Sequence, residues 1–313
     1  MSTPQRRFSG ADLCAALAVI VIWGLNFVAM KYALHDFTPF QLGAARYVFA
    51  ALPLVLFIRP PKVAWKWAVM YGLFQGVGQF GFLFCALQVG MTAALASVLM
   101  QTQAFFTALF GYFLLQERMS RPLVGGLTLA ALGLACFGMN FVAGGGLAGA
   151  VTVLGFVLNL AAAAMWAASN IVARKAQAAH NGFDAVAFVA WSSLAPILPF
   201  IAFTLLFDPV ATRWHWLQAP LSGWVSVAYL GWVATIAAYA MWTGLLKRHP
   251  ANRVAPFSLG VPVVGLTAGV VVLGETVTTW QWAGIALVVL ALLCVMFGGR
   301  LVSPSPPAAR PAS

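Results

Sequence analysis

The sequence predicts an all-α membrane protein, ten transmembrane helices arranged as two inverted five-helix repeats. Three observations carry that prediction. Of the 313 residues 62% are hydrophobic and only 7% are charged, against about 25% charged in ordinary soluble domains. The chain divides into ten apolar runs, each close to the roughly 20 residues needed to cross a bilayer. The second half also repeats the residue pattern of the first.

The runs fall at 10–33, 38–58, 65–87, 92–115, 122–141, 149–174, 184–207, 220–246, 252–274 and 280–299. They occupy nearly the whole chain and leave no room for a soluble domain. Arg6 and Arg7 precede the first run as they would in a signal peptide, but that run is long, lacks a small-x-small cleavage site and is followed by nine others, so it is expected to be retained. Residues 1–9 are expected to form a cytoplasmic amino terminus. Residues 300–313, containing VSPSPPAARPAS, are expected to form a disordered Pro-rich cytoplasmic tail.

The formal charge of +11 is distributed unevenly. With the amino terminus inside, every lysine and arginine of the loops and ends lies on the inner side except Lys31 and Arg213. This is the positive-inside pattern of a multi-pass protein with both termini cytoplasmic. It also accounts for the basic charge without nucleic acid, for which there is no basic patch with interleaved aromatics. Cys14, Cys85, Cys136 and Cys294 all fall within spans and have neither disulfide nor metal spacing. No cofactor is expected.

Sliding the chain against itself by 143 places sets Trp23 on Trp166, Lys31 on Arg174, Phe40 on Phe183 and Pro53 on Pro196. At an offset of 158, Tyr71 meets Tyr229, Ala93 meets Ala251, Glu117 meets Glu275 and Cys136 meets Cys294. The change of offset places a fifteen-residue insertion in the loop around Asp208 to Pro220. The repeats therefore cover 10–141 and 149–299. An odd number of spans per copy makes the second copy enter the membrane in the opposite sense, an arrangement common in alternating-access transporters. Lys31 and Arg174 then stand at opposite mouths, either snorkelling to headgroups or attracting substrate.

Polar side chains within spans are costly unless they are paired or face a wet path. The first span offers Trp23 and Asn26, and its counterpart Trp166, Ser169 and Asn170. Gln75 and Gln79 share one face of the third span by their i, i+4 spacing. Gln101 and Gln103 of the fourth span diverge by about 200° on an α-helix, so only one is expected to face the path. Trp232, Thr235, Tyr239 and Trp242 form one stripe of the eighth span, read either as packing or as pocket lining. Ser258 and Pro262 mark the ninth, where proline loosens backbone pairing. The glycines at 125, 126, 133, 138 and 284 suit close helix packing.

Arg46 lies mid-span with no carboxylate at similar depth. Its guanidinium needs carbonyl oxygens, amide oxygens, water or a substrate carboxylate, and a lock on backbone carbonyls is the commoner solution. The four histidines and six acids all lie in loops or at span ends. The usual intramembrane hydrolases therefore lack their parts; a GxGxxG run at 144–149 has no preceding strand, and the protein is not expected to be an enzyme. A proton carrier would have to be an end group, of which Glu117 and Glu275 are the candidates. Their plainer reading is ion pairing with neighbours, such as Arg118 or Arg121 for Glu117.

WGLNFVAMK in the first span, GFLFCALQ in the third, QTQAFFTALFGYFLLQE in the fourth and RVAPFSLGVPVVGL in the ninth resemble the EamA family of the drug/metabolite transporter superfamily. Within it the runs QTQAFFT and RVAPFSL are similar to exporters of O-acetylserine and cysteine. The resemblance implies efflux from cytoplasm to periplasm across the bacterial inner membrane, through a central cavity opened alternately to each side. It implies a small amino-acid-like substrate and no cofactor, with protons as a further candidate partner. Trp23, Asn26, Gln79, Gln101, Trp166, Asn170, Tyr239 and Ser258 are then the expected substrate-binding residues. Lys31, Arg46, Arg174, Glu117 and Glu275 are the expected gating or electrostatic ones. The abundant aromatics keep open export of aromatic amino acids, and other metabolites or drugs of the superfamily remain a further alternative.

Overall fold

The computed structural model describes residues 8–117, 119–142, 151–180 and 183–302. Arg118, the GxGxxG run at 144–149, most of the amino terminus and nearly all of the Pro-rich tail lie outside them. Among the described residues there is no strand. Ten helices are long and apolar enough to cross a membrane: Gly10–Ala33, Pro39–Phe57, Trp65–Gln88, Ala93–Leu115, Arg121–Val142, Val153–Ala179, Ala185–Phe207, Leu221–Arg248, Ala255–Leu273 and Thr279–Gly298. They follow the expected spans, the sixth running five residues further than its sequence boundary.

Several starts are set by capping chemistry. Ser9 accepts from the Asp12 amide and Asp12 reaches back to Ser9, a reciprocal box that the second span repeats with Thr38 and Gln41. Thr92 and Thr152 cap the fourth and sixth spans, and Asp184 caps the seventh. Each satisfies amides that would otherwise be orphaned at a helix entrance.

The helices depart from α geometry where polar residues cluster. The third and eighth spans contain nine-residue π-helical segments, Leu73–Gly81 and Tyr229–Ala237. The fourth passes through a 3-10 turn at Met100–Thr102, and the ninth opens with another at Ala255–Leu259. The seventh is interrupted by a turn just before Pro196. Such departures concentrate at functional positions in helical proteins.

The fifth and tenth spans pack against each other and take no part in the cavity described below. A Cβ on Gly284 would lie 2.7 Å from the Phe137 ring and 3.0 Å from the Gly133 carbonyl, and one on Gly126 would lie 3.0 Å from the Ala291 carbonyl. The small residues thus let two backbones meet, the usual device when no water drives helices together. Gly138 does not share this role, since nothing would lie within 4 Å of its Cβ.

The inserted loop folds over the end of the second and seventh spans. The buried Asp208 carboxylate accepts from the Thr38 hydroxyl at 2.6 Å, and Gln41 donates to the Thr212 and Arg213 carbonyls. Burial raises the Asp208 carboxyl above the usual range, opposed by the Thr38 hydrogen bond and by Arg213.

Candidate functional site

The site lies between the two halves, in a cavity of about 320 Å³, within the roughly 300–1,000 Å³ of small-molecule sites. All eight expected substrate-binding residues line it: Trp23, Asn26, Gln79, Gln101, Trp166, Asn170, Tyr239 and Ser258. Arg46 lines it as well, together with Gln103 and Trp242. No aspartate or glutamate is among the lining residues.

One wall is aromatic. The Trp23 indole donates to the Ala234 carbonyl at 3.0 Å, which fixes its ring 5.3 Å from Tyr239 and 5.4 Å from Trp242. Tyr229 ties the same two spans through the Ile22 carbonyl. The π segment redistributes the stripe expected on the eighth span. Tyr239 and Trp242 face the cavity and Thr235 turns to Arg46, whereas Trp232 is about half exposed and packs on Phe49.

The fourth span supplies both its glutamines, contrary to the α-helical expectation. At 120° per residue, a 3-10 turn brings positions two apart to about 120° of each other instead of about 160°. The long side chains then reach the cavity from opposite flanks. Gln101 donates to the Ser258 carbonyl at 3.2 Å, while Gln103 accepts from Asn170 at 3.0 Å. Gln75 and Gln79 instead divide between two spaces. Gln75 donates to the Tyr239 hydroxyl beside a smaller void, whereas Gln79 faces the main cavity with its carbonyl oxygen unpartnered. Ser169 leaves the site, because it is fully buried and donates to the Trp166 carbonyl of its own helix.

Arg46 is not locked by backbone carbonyls. It donates to Asn26 Oδ1 at 3.5 Å and to Thr235 Oγ1 at 3.1 Å, and its guanidinium carbon lies 3.9 Å above the Phe80 ring. Its Nε has no partner. Neutral oxygens and an aromatic face hold this cation because the two departures from α geometry bring Phe80 and Thr235 to it.

The two ends of the cavity differ. At one end Lys31 donates to the Leu87 carbonyl at 2.8 Å, and Glu275 accepts from the amides of Ala93 and Ala94 at 2.7 and 2.8 Å. The fourth and ninth spans touch here, since a Cβ on Gly269 would lie 2.7 Å from the Ala94 nitrogen. At the other end Glu117 pairs with Arg174 of the sixth span. The nearest atoms to a Cβ on Gly111, among the described residues, would be those of the Glu117 and Arg174 side chains. The local backbones nevertheless match. Both glutamate amides bond six residues back, to Gly111 and Gly269, each at 3.2 Å, after a left-handed residue, Gln116 or Gly274.

A buried group missed by the sequence reading lies near the Glu117 end of the first span. Asp12 accepts from His249 at 2.9 Å and from Arg248 at 3.0 Å, and His249 stacks on Phe8 with centroids 4.1 Å apart. His249 lies at the end of the eighth span, as expected, and is only 3% exposed. The signal available in sequence was the Ser9–Asp12 capping box, which leaves acceptor capacity on Asp12.

A cavity with convergent polar side chains within ten bilayer-length helices defines the class, a multi-pass membrane protein with a small-molecule site between its halves. The two stretches 11–139 and 153–297 match the EamA-like transporter family, and the chain belongs to that family. It is 41% identical over 294 residues to a probable amino-acid metabolite efflux pump of Escherichia coli (strain K12), covering 93% of this chain and 97% of that protein. It is 42% identical to the protein of the same description from Salmonella typhimurium, covering 94% and 97%. An uncharacterized transporter of Bacillus subtilis is 27% identical, covering 90% and 94%. A solved crystal structure with 22% identity shares the fold at a TM-score of 0.60, covering 95% of this chain and all of that one.

Proposed function

We propose that the protein exports small amino-acid metabolites of the O-acetylserine and cysteine class from the cytoplasm across the bacterial inner membrane, with both termini inside. The observation that carries this reading is the cavity itself, of small-molecule size, acid-free and lined by amide and hydroxyl side chains among aromatic ones. The two enterobacterial relatives described as probable amino-acid metabolite efflux pumps support the substrate class. The positive-inside charge pattern supports the orientation, which puts the Glu117 and Arg174 end in the cytoplasm.

Transport proceeds by alternating access. In the present state the Glu275 end is the closed one. In the opposite state Glu117 releases Arg174 and caps the amides of residues 251 and 252, which stand 158 places after Ala93 and Ala94 just as Glu275 stands 158 after Glu117. Energetics divide into uniport down a metabolite gradient and proton coupling through end groups such as Asp12 and His249.

Counterflow tests the reading. Proteoliposomes preloaded with unlabelled O-acetylserine or cysteine should accelerate uptake of the labelled compound, and a pH gradient should change the rate only under proton coupling. No exchange by folded protein would remove the cysteine-class reading. The aromatic wall of Trp23, Tyr239 and Trp242 favours aromatic amino acids as the second substrate class to assay.

A further inference from the structure

We infer that the cavity is a two-pole site for a zwitterion, with Arg46 receiving the substrate carboxylate, and the Gln79 carbonyl and the aromatic lining of Trp23 and Tyr239 receiving its ammonium group. The inference deepens the proposed function, because it rests on the cavity being the transport site.

The first pole is a buried cation with unspent donors. A guanidinium carries five N–H groups, and the Arg46 side chain donates to Asn26 and Thr235 alone. The Asn26 contact, at 3.5 Å, is at the outer limit of a hydrogen bond. Phe80 covers one face of the guanidinium and leaves its charge unneutralised. No acid lines the cavity: Glu117 is engaged on Arg174, Asp12 on His249 and Arg248, Glu275 on a helix entrance, Asp208 under the outer loop and Asp184 at the start of the seventh span. A planar fork with spare donors in a low-dielectric cavity is suited to a carboxylate, which it can hold with two parallel bonds.

The second pole has the opposite deficiency. Gln79 Oε1 is buried, lines the same cavity and accepts no hydrogen bond. It immediately precedes Phe80, so it lies on the same turn as the ring held against Arg46. The Trp23 and Tyr239 rings offer negative faces on the aromatic wall. An ammonium group supplies both the missing donor and the cation for those faces. A bare cation would satisfy this pole but meet Arg46 uncompensated, and a bare anion would leave Gln79 unsatisfied.

The test compares ligands that differ at one pole, using quenching of intrinsic tryptophan fluorescence by full-length protein in nanodiscs. L-cysteine is titrated against its methyl ester, which lacks the carboxylate, and against N-acetylcysteine, which lacks the ammonium. Phenylalanine and its methyl ester form a parallel pair. The expected result is that wild-type protein binds an acid at least tenfold more tightly than its ester, and cysteine more tightly than its N-acetyl form. Arg46→Gln should bring the acid-to-ester ratio close to one, while Arg46→Lys should keep part of it. Gln79→Leu should weaken cysteine but not N-acetylcysteine.

The wild-type comparison needs no variant to fold. Equal affinity for acid and ester overturns the inference even if counterflow shows export of cysteine. An acid preference confined to the phenylalanine pair moves the substrate class and leaves the two poles standing. Failure of folded protein to bind any of these compounds overturns both readings.

Discussion

At one end of the cavity Glu275 holds the entrance of the fourth helix, whereas at the other its counterpart Glu117 holds the side chain of Arg174. The backbone around each glutamate is the same, down to the amide bond to a glycine six residues earlier. What differs is the neighbour: a Cβ on Gly269 would meet the Ala94 backbone, whereas the nearest atoms to one on Gly111 among the described residues belong to the side chains of Glu117 and Arg174. Equivalent residues therefore take alternative partners, an arm on a helix entrance or an arm on a cation. A carboxylate on a helix entrance interacts with two amides and the positive end of the helix dipole. A half-exposed ion pair is far weaker, so the attachment is strong at the end where the fourth and ninth spans touch and weak at the other.

The largest expected effect comes from the glycines. Gly269→Val drives a branched side chain into the Ala94 backbone and should keep that end from closing, with export below a tenth of wild type. A thiol placed by Ala93→Cys, at a site now fully buried, should then react with an impermeant maleimide at least tenfold faster. Gly111→Val should leave that thiol protected. Unchanged labelling in Gly269→Val would mean that this contact is not what closes the end.

A smaller shift is expected from the carboxylate. Glu275→Gln keeps one acceptor but loses the charge, at a cost of roughly 1–2 kcal/mol, or about 5- to 30-fold in the equilibrium. Maleimide labelling of the Ala93→Cys thiol should rise by that factor, and Glu117→Gln should not raise it. Arg174→Ala should do less still, because its side chain and that of Glu117 are 46% and 44% exposed. Such pairs contribute under about 1 kcal/mol. The melting temperature should hardly move, and what change there is should shrink in high salt.

The smallest effect concerns Asp208, in the loop present only in the second half. Burial raises its carboxyl, so the folded chain binds that proton more tightly than the unfolded one. Its contribution to stability is therefore most favourable at acid pH and declines as pH rises from about 4 through the raised folded value. Asp208→Asn fixes a neutral group that still accepts from Thr38. It should leave the melting temperature at neutral pH equal or slightly higher, with a flatter pH dependence.

Much of the cavity was legible because hydrocarbon makes polar residues conspicuous: Asn26, Gln79, Gln101 and Asn170 have few roles open to them inside a span. Leu83 and Met100, which also line the cavity, carry no such mark, since in sequence they look like any lipid-facing residue. The errors arose where helix geometry changed. Gln103 was assigned to the wrong side by assuming an α-helix through Met100–Thr102, and Trp232 was aligned with Tyr239 across a π segment. The pairs Glu117 with Arg174 and Asp12 with His249 join residues 57 and 237 positions apart. Neither separation follows from helical spacing, and only the packing of the spans brings such groups together.

A cation at the centre of an acid-free cavity also bears on the bilayer's role as an insulator. A membrane potential favours inward movement of positive ions by about 2.3 kcal/mol per 100 mV for each charge, and any wet passage through a carrier is a route for leakage. Arg46 puts a fixed like charge on that route, with no carboxylate in the lining to offset it. Sodium or potassium entering the cavity meets electrostatic opposition of the kind that basic residues provide in cation-excluding pores. The same side chain that suits a carboxylate would let the protein work in an energised membrane without becoming a shunt across it.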